Sequence, residues 1–93
     1  MRNKTKRSVK FKYPNIYYKP QGIPLSELAE TSISPEELET LRLRYIEGMS
    51  QIDAAKKMGI SQSQYQRDLV KTLKKITEAF CNGDAINIPE EIN

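Results

Sequence analysis

Between Gly48 and Arg67 the chain reads G-M-S-Q-I-D-A-A-K-K-M-G-I-S-Q-S-Q-Y-Q-R, and few conformations suit that stretch. Ser50 is placed to cap a helix, since a serine oxygen accepts from N–H groups that the first turn leaves unpaired. Ile52, Ala55 and Met58 follow on one side of that helix. Gly59 must stop it, because glycine enters the left-handed region without a Cβ clash. Ser61 caps the next helix, and Gln64 stands where a capping box closes. Small Ala54 and Ala55 let the second helix cross the first closely. Two capped helices joined by a glycine turn have the geometry of a helix-turn-helix, whose second helix enters the major groove of DNA.

The preceding helix carries the strongest local signals. Ser34, Pro35 and Glu37 supply an N-cap, a first-turn proline and a capping-box partner. Glu36, Glu37 and Glu39 complement the positive end of the helix dipole. Leu38, Leu41 and Tyr45 form an apolar stripe with Leu43 and Ile46 beside it, and Gly48 ends the helix. The resulting helix, Ser34–Glu47, is wide on its apolar side and predicts a second cover, from the N-terminal segment or from a second subunit.

After Ser61, the residues Tyr65, Leu69, Leu73, Ile76 and Phe80 recur at successive turns and predict a core-facing stripe up to Asn82-Gly83. With that stripe inward, Gln62, Ser63, Gln66 and Arg67 face out from the leading turns. Glutamine pairs bidentately with adenine, arginine with guanine, and serine with either. Lys71, Lys74 and Lys75 lie farther along, with Lys56 and Lys57 on the first helix and Ser61 at the turn. These are the candidate phosphate contacts, which set register without reading sequence.

Charge distribution agrees with a polyanion-facing side. Lys and Arg total 15 against 12 Asp and Glu over 93 residues. From Met1 to Ser26 every charged residue is basic, Glu27–Ser50 is mainly acidic, and Gln51–Cys81 is basic again. Two basic segments thus flank an acidic one. Residues 1–12 read as a basic flexible arm: either Arg2, Lys4, Lys6 and Arg7 meet the backbone of an adjacent minor groove, or the arm is a solubilising tail with only nonspecific attraction to nucleic acid. Val9, Phe11 and Tyr13 alternate with lysines up to Pro14, and Tyr17 and Tyr18 are expected to clasp the core. Leu25–Glu30 reads as one or two helical turns with Leu25, Leu28 and Ala29 inward. Residues 13–83 then form the domain around a core at 34–81, and 84–93 a short tail in which Ala85–Ile88 has an extended pattern.

The composition narrows the function classes. Cys81 is the only cysteine and histidine is absent. No internal disulfide forms, the usual Cys/His metal site has no ligands, and the commonest general base is missing. No cofactor is expected. No apolar run reaches membrane-spanning length, and the basic start precedes no apolar block. A soluble, cytoplasmic, non-enzymatic protein is the expectation.

The segment I-S-P-E-E-L-E-T-L-R-L-R-Y-I-E-G-M-S-Q-I-D-A-A-K-K-M-G-I-S, Ile33 to Ser61, resembles the fourth region of bacterial sigma factors, which reads the upstream promoter element. K-P-Q-G-I-P-L-S-E-L, Lys19 to Leu28, is not a sigma feature. Together with A-A-K-K-M-G-I-S and Gln66-Arg67, it resembles an uncharacterised prokaryotic family of small predicted DNA-binding proteins. That resemblance covers Tyr13 to Ile88. It implies that Gln62, Ser63, Gln66 and Arg67 occupy base-facing sites. The chain has Gln62 where that family favours a basic residue, so base preference is not carried over. The other sigma regions, which bind polymerase and melt promoters, are missing.

The sequence therefore predicts an all-α domain, a small helical fold with a sigma-type helix-turn-helix and a basic N-terminal arm. Its expected function is sequence-specific binding of double-stranded DNA as a transcriptional regulator, as a homodimer. The rival expectation is an adaptor that contacts RNA polymerase or another regulator through the acidic helix. RNA ranks third, since A-form major grooves do not admit a helix.

Overall fold

A computed structural model describes residues 15–89. The helices pack against a small sheet, so the fold is mixed and the all-α expectation is corrected. The strands are β1 (Ile16–Tyr18), β2 (Glu30–Ser32) and β3 (Ala85–Ile88), ordered β1-β3-β2. β3 pairs antiparallel with β1, Ile16 opposite Ile88, and parallel with β2, Thr31 opposite Ile86. Between β2 and β3 run α1 (Pro35–Leu41), α2 (Gln51–Met58) and α3 (Gln62–Asn82). The arm residues Arg2, Lys4, Lys6 and Arg7 lie outside the described residues, as does the Val9–Tyr13 alternation.

Ser34 caps α1 as its surroundings dictate. Its Oγ accepts from the Glu37 N–H at 3.0 Å, and its own N–H donates to Glu37 Oε1 at 2.9 Å. The helix does not continue to Glu47 in α form. At Arg42–Ile46 it widens into a π turn, in which the Glu47 N–H reaches back to the Arg42 carbonyl. Arg42 holds the widened turn from the side, with Nε and Nη2 on the two Glu39 oxygens and Nη1 on Glu47. Glu39 is fully buried in this arrangement, so it does more than complement a dipole. Tyr65 Oη donates to the Thr40 carbonyl at 2.6 Å, tying α3 to the end of α1.

Two apolar clusters result. Leu43, Ala54, Ala55, Met58, Tyr65 and Leu69 fill the space among the π turn, α2 and α3. Ile33, Ala79, Ile86 and Ile88, with Ile16, Leu38 and Ile76 against them, join the second half of α3 to the sheet. The inward row of α3 is Tyr65, Leu69, Thr72, Ile76 and Ala79, while the predicted Leu73 and Phe80 are exposed. Small residues lie where neighbouring elements come closest, so close packing turned the second half of the helix away from its largest side chains.

Four smaller expectations also change. Ile52 is exposed on α2, and Tyr45 and Ile46 are exposed after the π turn. Leu25–Glu27 is a single 3₁₀ turn with Leu25 exposed. Tyr17 and Tyr18 are exposed too, and β1 closes the fold through Ile16 and its backbone.

Candidate nucleic-acid interface

The α2–α3 corner is built by three local devices. Ser50 Oγ accepts from the Asp53 N–H at 3.1 Å, starting α2. Gly59 ends it at φ 73°, and the Ile60 N–H then closes onto the Ala55 carbonyl at 3.0 Å. Ser61 Oγ accepts from the Gln64 N–H at 3.1 Å, starting α3. Ala54 and Ala55 are buried beneath the crossing, so the two helices approach with no large side chain between them.

Gln64 departs from the capping-box expectation. Its Nε2 donates to Asp68 Oδ1 at 2.7 Å, and its Oε1 accepts from Arg67 Nη2 at 2.9 Å. The side chain therefore runs along the helix surface and leaves only half of the box. It also gives Arg67 a defined support, which limits the rotamers the guanidinium must give up on contact.

The four candidate base-reading residues, Gln62, Ser63, Gln66 and Arg67, are all exposed on the leading turns of α3. Arg67, Lys71 and Lys74 continue along its outer side at helical spacing, each exposed. Lys74 meets Glu78 only at 3.9 Å, in open solvent. Lys56 and Lys57 are exposed at the end of α2, beside the turn that carries Ser61. Val70 is exposed in the same outer row, an apolar member that residue-type reasoning passed over.

Lys75 belongs elsewhere. Its Nζ donates to the Ser32 carbonyl at 2.8 Å and to Glu37 Oε1 at 2.9 Å, pinning α3 to the β2–α1 junction. A cation used twice inside the fold is poorly placed to meet a phosphate. Its partners lie far away in sequence, so periodicity alone had no means of separating it from Lys74.

Between α1 and α3 lies a polar cleft of about 430 Å³, bordered by Glu36, Thr40, Asp68, Lys71 and Thr72. Among the described residues, Thr72 Oγ1 is buried there without a hydrogen-bond partner. No group of three or more potential metal-ligating side chains occurs among the described residues. Among the same residues no helix is long and apolar enough to cross a membrane.

The model of the family described as "Protein of unknown function DUF134" matches residues 1–90. The chain belongs to that family. DUF134 relatives include a "UPF0251 protein" of Pelotomaculum thermopropionicum, 44% identical over 72 residues, which are 77% of this chain and 54% of that protein. Another, from Desulforudis audaxviator, is 43% identical over 82 residues, 88% of this chain and 54% of that one. A third, from Methanosarcina acetivorans, is 47% identical over 76 residues, 81% of this chain and 68% of that one. The chain spans about half the length of the first two of these curated relatives. The prokaryotic family expected from the K-P-Q-G-I-P-L block is therefore the one found. No solved structure matches the chain.

Proposed function

We propose that this DUF134 domain binds double-stranded DNA in a sequence-specific manner and serves as a transcriptional regulator, with α2 and α3 as a helix-turn-helix like that of sigma region four. The observation that carries this reading is the outer face of α3. Gln62, Ser63, Gln66 and Arg67 lie exposed on the leading turns, with exposed Lys71 and Lys74 behind them. Side chains suited to base edges thus precede cations suited to phosphates on one helix that a glycine turn holds clear of the core.

The adaptor reading on RNA polymerase draws less support, because two carboxylates of the acidic helix are used inside the fold. Glu37 is engaged by Ser34 and Lys75, and Glu39 is buried against Arg42.

The test is selection from a random duplex library at near-physiological salt with the purified chain. An enriched motif is the expected result. Arg67→Ala should relax the preference at one base pair by about 1–3 kcal/mol while leaving the others in place. Absence of any enriched motif, with binding that fades uniformly as salt rises, would overturn the proposal.

A further inference from the structure

Among the described residues, nothing covers the side of α3 that carries Leu73 and Phe80. Phe80 is 70% exposed, Tyr18 60% and Leu73 39%. Leu73, Thr77 and Phe80 succeed one another at steps of four and three residues and so share one stripe. Beside Phe80 a cleft of about 220 Å³ opens between the end of α3 and β1, lined by Tyr18, Pro20, Ala79, Gly83 and Ile86. Scattered apolar residues on a surface are ordinary, but a stripe continuous with an apolar cleft marks an interaction site.

Helical geometry identifies the occupant. At about 100° per residue, the Leu73–Phe80 stripe lies roughly a quarter turn from the outer row Ser63, Arg67 and Lys74. The buried row lies roughly a quarter turn away on its other side. The middle of the stripe falls between Ile76 and Thr77, and the middle of the Gln62–Arg67 turns between Gln64 and Tyr65. At 1.5 Å per residue those points are about 18 Å apart along the axis. Two copies packed antiparallel through the stripe therefore carry their leading turns about 36 Å apart, or about 33 Å if the helices cross at about 50°. Successive major-groove half-sites on one face of B-DNA are separated by about 34–36 Å. The two-fold axis of such a pair is perpendicular to both helices and to the line joining them. That offset aims Ser63 and Arg67 of both copies at the same side, while Gln62 and Gln66 continue the line of the stripe itself and flank the seam.

We propose that the Leu73–Phe80 stripe is the interface with a second copy of this chain; the spacing argument rests on the DNA-binding reading of α3. Each Phe80 meets the partner's Leu73, the cleft beside it receives that leucine, and the two Thr77 residues sit close to the axis. The contact is self-complementary, as a two-fold interface requires. With each aromatic able to bury about 150–250 Å², the stripe and Tyr18 offer on the order of 350 Å² per copy, roughly half of a standard interface. The pair is accordingly weak in free solution and is completed by adjacent half-sites. This places the second subunit on α3, whereas the sequence pointed to the Ser34–Glu47 helix, where Tyr45 and Ile46 remain as the rival face.

Oxidative cross-linking tests the interface without DNA. Thr77→Cys in a Cys81→Ser background, at on the order of 100 μM, should form a disulfide-linked dimer about tenfold faster than Ile46→Cys in the same background. Adding Phe80→Glu should remove that advantage. Equal rates, or indifference to Phe80→Glu, would overturn the proposal, as would faster linkage through Ile46→Cys. On duplexes carrying two copies of a selected half-site, binding should be cooperative at about 10 bp separation and not at about 15 bp. Phe80→Glu should abolish cooperativity and leave single-site affinity unchanged. Cross-linking without any selected motif would sink the DNA reading alone; a selected motif without cross-linking would sink the interface alone.

Discussion

Two neighbouring lysines on α3 should answer to different assays. Lys75 spans the β2–α1 junction, donating at 2.8 Å to the Ser32 carbonyl and at 2.9 Å to Glu37. Its side chain is 31% exposed and that of Glu37 19%, so the pair is shielded but not dry. Hydrogen bonds to charged groups contribute about 1.5–3 kcal/mol when buried. Solvent access reduces this, and Lys75→Ala should cost about 1.5–2 kcal/mol of stability in all. In a domain of this size that is a fall in Tm on the order of 10 °C. Lys74 is 74% exposed and stands 3.9 Å from Glu78, so Lys74→Ala should shift stability by less than about 0.5 kcal/mol. On DNA the ranking reverses. Each neutralised phosphate adds about 0.9 to the slope of log affinity against log salt. Lys74→Ala should flatten that slope by about one, and Lys75→Ala should leave it unchanged. Urea denaturation reads the first quantity. Fluorescence anisotropy of a labelled duplex between about 50 and 200 mM salt reads the second. A slope that falls equally for both variants, or a Lys75→Ala protein as stable as the parent, would refute the division of labour.

Three further substitutions probe the supports of the fold. Arg42→Ala leaves the Glu39 carboxylate buried without its guanidinium and should destabilise by about 3 kcal/mol in urea, with Arg42→Lys recovering only part. Burial raises the Tyr65 phenol above 10.0, with the nearby Tyr45 and Glu39 charges adding to the shift and Arg44 opposing it. The folded state therefore holds that proton more tightly than the unfolded state. Its contribution is complete below about pH 10 and is lost as pH climbs through the folded value. Tyr65→Phe should lower stability at neutral pH by about 1–2 kcal/mol and remove part of the alkaline decline seen in urea midpoints. Thr72→Val keeps the shape and deletes a buried hydroxyl that has no partner among the described residues, so the urea midpoint should rise, by about 0.5–1 kcal/mol of stability.

What the sequence disclosed follows the range of the interactions involved. Ser34, Ser50 and Ser61 each cap within three residues, so their roles could be read directly, as could the left-handed Gly59. The π turn begins two residues after Thr40, whose carbonyl accepts from Tyr65 across 25 residues, a contact no local pattern announces. Ala85–Ile88 was legible as extended, but the sheet it centres was hidden because the strands are three or four residues long and Glu30-Thr31-Ser32 has no apolar member to show alternation. On α3 the apolar period pointed to Leu73 and Phe80, whereas the closest neighbours required Thr72 and Ala79. The exposed Gln62, Ser63, Gln66 and Arg67 were found by subtracting the core, which works near Tyr65 because the buried row there was assigned correctly. It fails at Lys75, whose partners come from Ser32 and Glu37.

β3 is the middle strand of the sheet and, of the described elements, the last in chain order. Ile86 pairs with Tyr18 on one side and with Thr31 on the other, so among the described residues neither edge strand has a neighbour until residues 85–88 arrive. Joining Glu30 to Ala85 closes a loop containing all three helices, at an entropic cost of roughly 3.5 kcal/mol beyond the constant term. A chain growing on the ribosome can wind its helices early, but β1 and β2 must wait for their pairing with β3. A message truncated just after Asn82 would yield every capped helix and no finished sheet, with Ile16 and Ile33 left without the strand that covers them.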